Sequence, residues 1–174
     1  MENLIRPLPQ KVRHVRVRRR VVLVATATIA ISIDVVSKIW ASTVLIGQPQ
    51  KIGSITLRLV HNHGVLFGIG SYLPAVAVTA LTASIAAAVA FAAWIGVVKP
   101  ALAAGLIVGG SFANVADRLT AGSVIDFISI SRWPIFNLAD FFIIAGLLLL
   151  LFRPNAIGPA PTAAHARSYA RAGE

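Results

Sequence analysis

The sequence contains no cysteine. That excludes a disulfide framework, a thiolate metal site and a cysteine nucleophile. Carboxylates are nearly as scarce, with six Asp and Glu in 174 residues against sixteen Lys and Arg. Two of the six, Glu2 and Glu174, stand at the chain ends, which leaves Asp34, Asp117, Asp126 and Asp140 for any interior chemistry. What is abundant is apolar: 57% of residues are hydrophobic and the mean hydropathy is +0.80. Soluble domains rarely reach such values, so the composition points to a multi-span membrane protein of one small domain.

The net charge of +10 would suit nucleic acid, but its distribution does not. Arg6, Lys11, Arg13, Arg16, Arg18, Arg19 and Arg20 all precede the first apolar run. A basic segment abutting a hydrophobic helix is a topology signal. That run passes through Asp34 and Lys38 to Trp40 without a small-residue cleavage site, so it reads as a retained first span.

Four segments are long enough to cross ~30 Å of hydrocarbon: 21–40, 72–98, 101–119 and 134–152. The expected division is a basic segment 1–20, a four-span domain 21–152 and a disordered Ala/Pro/Arg-rich tail 153–174. Within the loop 41–71, "SITLRLV" (54–60) alternates as a surface strand does, and "HNHGVLFGIG" carries three glycines suited to a turn or close approach. Lys99-Pro100 forms the turn between the second and third spans. Lys and Arg concentrate at both termini and in that turn. Both termini are therefore expected in the cytoplasm, with loops 41–71 and 120–133 outside.

Depth arithmetic brings the aspartates together. Asp34 lies about 20 Å up the first span, Asp117 about 24 Å up the third, and Asp140 about 9 Å down the fourth. All three fall in the outer third of the membrane, and Asp126 in "SVIDFISI" is close in sequence to that level. An intramembrane Asp costs roughly 2.5–3.5 kcal/mol to insert and usually marks function. Asp34 and Lys38, spaced i,i+4, read as a structural ion pair. Asp117, beside Arg118 and on one helical face with Asn114, reads as a supporting network. Asp126 and Asp140 lack a neighbouring cation, Arg132 being the nearest, and Asn137 shares a face with Asp140. Two carboxyls at one site cannot both ionise cheaply, so one can activate water while the other polarises a carbonyl. A second class stays open: a small proton-coupled transporter or channel built on intramembrane carboxylates.

Other constellations are weaker. His61 and His63 share a strand face, but no carboxylate or cysteine stands at metal-ligand spacing, so no metal is expected. Ser37 and Lys38 are adjacent on a helix and do not face each other. "GLIVGGSFA" (105–113) reads as close helix packing.

The ordered motifs DVVSK (34–38), HNHGVLFG (61–68), GGSFANVADR (109–118), VIDF (124–127) and FNLAD (136–140) resemble those of the lipoprotein signal peptidases, or signal peptidase II, from Asp34 to Phe152. The resemblance implies an aspartic endopeptidase of the bacterial cytoplasmic membrane, active at its outer face on diacylglyceryl-modified prolipoproteins. It implies a helical integral membrane fold, a four-helix bundle with a small extracytoplasmic β-cradle, and no cofactor. Carried over by position, it makes Asp126 and Asp140 the catalytic pair. Asn62, Gly64, Asn114, Asp117, Arg118 and Asn137 become substrate-binding or supporting residues, and Asp34 with Lys38 structural support. Expected partners are lipidated precursors, membrane lipid and cyclic peptide inhibitors such as globomycin, with no nucleic acid and a monomeric enzyme. The chain departs from the family pattern at NHGVLF (62–67), where Val65 and Leu66 replace smaller residues and narrow the substrate groove. Ala113 stands where the family has Gly.

Overall fold

A computed structural model describes residues 10–64 and 74–152. The first nine residues, the tail 153–174 and the Val65–Leu66 departure lie outside the described residues. Four helices are present: α1 (Gln10–Val44), α2 (Ala75–Ile95), α3 (Ala101–Ala121) and α4 (Leu138–Leu151). Three strands join them: β1 (Gln50–Ile52), β2 (Ile55–Asn62) and β3 (Val124–Ile130), antiparallel in the order β1-β2-β3. The fold is mostly helical with a small sheet.

Two element boundaries differ from the sequence reading. The expected first span, 21–40, sits inside a 35-residue helix, because the Arg-rich stretch continues the helix instead of forming a separate segment. At ~1.5 Å per residue α1 is about 52 Å long, more than a bilayer core requires. The helix expected from Pro134 begins at Leu138. Residues 134–137 run back along β3, with Phe136 bridged to Ile128, and Asn137 caps the helix. Asp140 therefore sits in the first turn of α4, not 9 Å down it. Two strands were also not anticipated: β1, and β3, which carries Asp126.

By length and apolarity, α1 from His14 and α2 from Val76 are each able to cross a membrane. The apolar α4 is shorter, 14 residues, and α3 carries Ser111, Asn114, Asp117 and Arg118. The outer surfaces are oily: Val36 and Phe91 are each 65% exposed and Leu151 75%. Apolar exposure on this scale calls for lipid as the solvent.

α3 is the centre of the bundle, packed against α1, α4 and α2. Small residues permit this. A Cβ on Gly109 would fall 2.6 Å from the Ala27 carbonyl oxygen of α1, and one on Gly146 2.7 Å from the Ala103 carbonyl oxygen of α3. The "GLIVGG" stripe is thus a contact surface for two helices, as small residues are in membranes. Gly109→Leu is expected to lose about 1–3 kcal/mol by overpacking. Thermal unfolding in detergent checks it, and an unshifted midpoint would mean that α1 and α3 are not in such close contact.

The sheet seats on the far end of α1. Ala41 and Leu45 pack with Phe127, supported by Leu57, Leu59, Ile125, Ile128 and Leu138. β2 pairs with β3 through Leu57↔Ile128 and Val60↔Asp126, with a register shift between them. Three steps on β2 match two on β3, the signature of a bulge that re-aims side chains. Beyond it, Val124 and Asp126 are buried on the face toward the bundle.

Candidate active site

All ten residues singled out from the sequence fall into one hydrogen-bonded network where the sheet meets the bundle. It starts from Asn137, which is fully buried. Its side-chain oxygen accepts the Asp140 backbone N–H at 2.9 Å, capping α4. Its amide donates to Asp126 Oδ1 at 2.7 Å and to Asn114 Oδ1 at 3.1 Å. One side chain thus joins the strand carboxylate to the helix that carries the other. The position is fixed locally: Phe127 and Ile128 donate their N–H groups to the Phe136 carbonyl, and Phe136 donates back to Ile128.

Asp126 accepts a second amide bond, from Asn62 to Oδ2 at 2.8 Å, so both its oxygens are occupied. Asn62 in turn accepts the Gly64 N–H at 2.8 Å. Burial pushes the Asp126 carboxyl above the ordinary carboxylate range. The amide bonds from Asn62 and Asn137, and the charges of Lys38 and Arg118, oppose that rise.

Asp140 accepts from Asn114 Nδ2 at 2.8 Å through Oδ1. Among the described residues nothing donates to its Oδ2. Asp140 is on the wall of a cavity of about 160 Å³, lined also by Thr82 and Ile85 of α2, Ser111, Asn114 and Arg118 of α3, and Ile143 of α4. α2 and α4 make little direct contact, so this cavity lies in the gap between them. A position in the first turn of α4 also suits a carboxyl, because the helix N-terminus carries partial positive charge.

Behind the two aspartates stands Lys38, 4% exposed. Its ammonium meets Asp34 Oδ2 at 2.6 Å, Asp117 Oδ2 at 2.7 Å and Asn114 Oδ1 at 3.0 Å. Three acceptors use all three donors of a lysine. Together with Asn137 they fix which way the Asn114 amide points, so that its NH2 faces Asp140. The sequence reading set Asp117 beside Arg118; the structure gives it Lys38, on another helix. Adjacent residues on a helix diverge by about 100°, so sequence neighbours are poor partners. Arg118 reaches instead to the carbonyls of Asn114 and Gly64, tying α3 to the residues just past the end of β2.

Asp34 has a second task that its spacing to Lys38 does not reveal. Its Oδ1 accepts the Ala139 backbone N–H at 2.7 Å. Asn137 and Asp34 thereby satisfy two of the four free N–H groups at the start of α4. Asp34 lies 105 residues from Ala139, so no local pattern announces it. Thr82, Ile85, Ser111 and Ile143 are likewise site residues that sequence reasoning missed, being unremarkable in apolar helices. No group of three or more His, Cys, Asp or Glu among the described residues is placed to hold a metal. His61 and His63 remain at the exposed surface.

A buried carboxyl pair, amide-clamped and open to a cavity on one side, can activate water and polarise a carbonyl. The family model for signal peptidase (SPase) II matches residues 26–154. The chain belongs to the signal peptidase II family. Membership makes it a protease. It is 35% identical over 161 residues to a lipoprotein signal peptidase of Rhodococcus jostii, covering 82% of this chain and 75% of that one. With that of Mycobacterium bovis the identity is 34% over 147 residues, covering 77% and 71%. A solved bacterial membrane enzyme superposes with a TM-score of 0.65 at 27% identity, covering 74% of this chain and 84% of its own. Signal peptidase II membership and the apolar helices make this an integral membrane protein. The transporter reading loses its support, since the family is one of peptidases.

Proposed function

We propose that this signal peptidase II is an aspartic endopeptidase that cleaves the signal peptides of diacylglyceryl-modified prolipoproteins at the outer face of the cytoplasmic membrane. The observation that carries the reading is Asn137, which bonds the Asp126 carboxylate and caps the Asp140 amide at once. In this reading α1 to α4 are four spans of one peptidase domain, 21–152, with both termini cytoplasmic and the sheet outside. The segments 1–20 and 153–174 flank it, and the enzyme works as a monomer in lipid without a cofactor.

Asp126 and Asp140 are the catalytic pair. Four carboxyls in the network face two cations, Lys38 and Arg118, which favours a proton retained on the pair. Asp126, with an amide donor on each oxygen, is the ionised partner and takes a proton from the attacking water. Asp140, on the cavity wall and with no donor to its Oδ2 among the described residues, polarises the scissile carbonyl, stabilising the oxyanion. Breakdown of the tetrahedral intermediate sends a proton to the leaving amine and frees the lipidated N-terminus. The gap between α2 and α4 admits the substrate laterally, its acyl chains remaining in the bilayer. Arg118, Asn62 and Gly64 hold the end of β2 beside the pair, and Asp34, Lys38 and Asp117 brace the pair from behind.

Purified protein incubated with a diacylglyceryl-modified precursor is expected to release the signal peptide, and globomycin to block it. Cleavage that persists when the precursor is unlipidated would defeat the substrate assignment. The acid limb of kcat/KM should lie above the ordinary aspartate value of about 3.9, since burial raises Asp126. Asn62→Ala removes a donor to the charged form, so the limb should move to higher pH. A limb unmoved by Asn62→Ala would mean that the ionised group is not Asp126.

A further inference from the structure

The end of the bundle away from the aspartates has a charge pattern that peptidase chemistry does not use. Arg19 donates through Nη2 to the Trp94 carbonyl at 3.0 Å, and the Arg20 guanidinium lies 4.1 Å from the centre of the Trp94 ring. Two arginines of α1 thus converge on one residue in the last turn of α2. The helix terminus explains part of this. α2 ends at Gly96 in the left-handed conformation and has no basic residue of its own in its last turn. A cation from α1 therefore meets the negative end of its dipole. That accounts for one arginine; the second, stacked on the indole, adds a charge that no helix terminus requires.

Among the described residues no carboxylate answers them. The four described aspartates all belong to the network around Asp126 and Asp140, and the only carboxylate ion pairs among the described residues are those of Lys38. The Nε atoms of Arg19 and Arg20 are buried and unpartnered. Arg16 precedes them by three and four residues, on the same helical face, and is exposed. From Arg20 to Lys38 the helix rises about 27 Å, close to the thickness of a hydrocarbon core. With the site at one membrane surface, this cluster lies at the other, where headgroup phosphates are. The counter-charge that the described residues do not supply is available there.

We propose that Arg19 and Arg20, with Arg16, bind the phosphate of an anionic glycerophospholipid at the membrane face opposite the site, clamping α1 to the end of α2. Guanidinium forks match phosphate oxygens in pairs, and indoles favour the interface, so two arginines beside Trp94 fit a headgroup. Basic pockets between spans take anionic lipid in this way. The clamp matters because α1 and α2 otherwise share few contacts, α3 standing between them. α2 supplies Thr82 and Ile85 to the cavity wall, so a lipid at its base holds that wall in place.

The full-length protein in detergent, given equimolar phosphatidylglycerol and phosphatidylcholine of the same acyl chains, tests this by native mass spectrometry. Phosphatidylglycerol is expected to be retained about thirtyfold over phosphatidylcholine, the effect of two interfacial arginines. R19Q/R20Q should lose the preference, while R132Q, a cation at the opposite end, should keep it. Should the double variant not be recovered folded, R20Q alone is expected to lose about half of the preference on a logarithmic scale. Equal retention of the two lipids, or an undiminished preference in R20Q and R19Q/R20Q, overturns the proposal. So does displacement of phosphatidylglycerol by millimolar inorganic phosphate, which would mark a site for soluble anions instead of a lipid surface.

Discussion

Asp126→Asn and Asp140→Asn are each expected to abolish prolipoprotein cleavage while leaving the protein in the membrane. The substitution keeps size and shape, and so leaves most of the packing around either residue intact. What it removes is ionisation. In Asp126→Asn the new amide could still accept one hydrogen bond, but Asn62 and Asn137 both donate to that position, so one buried donor would be stranded at about 1–3 kcal/mol. That is a tolerable loss for most folds, whereas the general base contributes about 10²–10⁴ in rate and its electrostatic partner a comparable factor. The assay is maturation of a diacylglyceryl-modified precursor by purified variant, with membrane content measured in parallel. Asp117→Asn is the comparison that separates chemistry from support, because Asp117 touches Lys38 and neither carboxyl of the pair. It should retain measurable cleavage. Normal processing by either Asp126→Asn or Asp140→Asn would remove the aspartic mechanism altogether.

The second large effect belongs to Lys38. Lys38→Met keeps the length and apolar stem of the side chain but leaves Asp34, fully buried, without its cation. Breaking one partner out of a buried ion pair is destabilising by about 3–5 kcal/mol. Asn114 loses a donor to its Oδ1 at the same time, so the amide facing Asp140 is held only by Asn137. Both folded yield and cleavage rate should fall. Adding Asp34→Asn removes the stranded charge while keeping an acceptor for the Ala139 N–H, so the double variant should recover part of the lost stability. Thermal unfolding of the two single variants and the double variant measures that coupling. If Lys38→Met unfolds at the wild-type temperature, the lysine is not paired as described.

What made the site legible was the expense of charge in an apolar chain. Asp34, Lys38, Asn114, Asp117, Arg118 and Asp140 stood out because so little else in those segments is polar, and all of them converge in space. The helices were legible for the same reason, as long apolar runs. Pairings were harder. Lys38–Asp117 and Asp34–Ala139 join elements distant in sequence, and a linear pattern encodes only near neighbours along a helix or strand. The sheet was half visible: β2 alternates, but β3 is buried along one stretch, with Val124, Asp126 and Phe127 all inside, so its period is blurred. Pro134 misled because proline favours a helix start. Asn137 supplied a better cap three residues later, and the β3 bridge claimed the residues between.

The short return from β3 to α4 has one more consequence. Asp126 belongs to a sheet built outside the helical bundle, and Asp140 to a helix inside it, yet the same asparagine must be seated to orient both. Neither half makes the pair alone. A chain whose sheet has not formed, or whose fourth helix is not seated, holds two separated carboxyls and no pair. If the two carboxyls cleave as proposed, the junction works as a coincidence gate, in which proteolytic capacity arises only when sheet and helix are both in place.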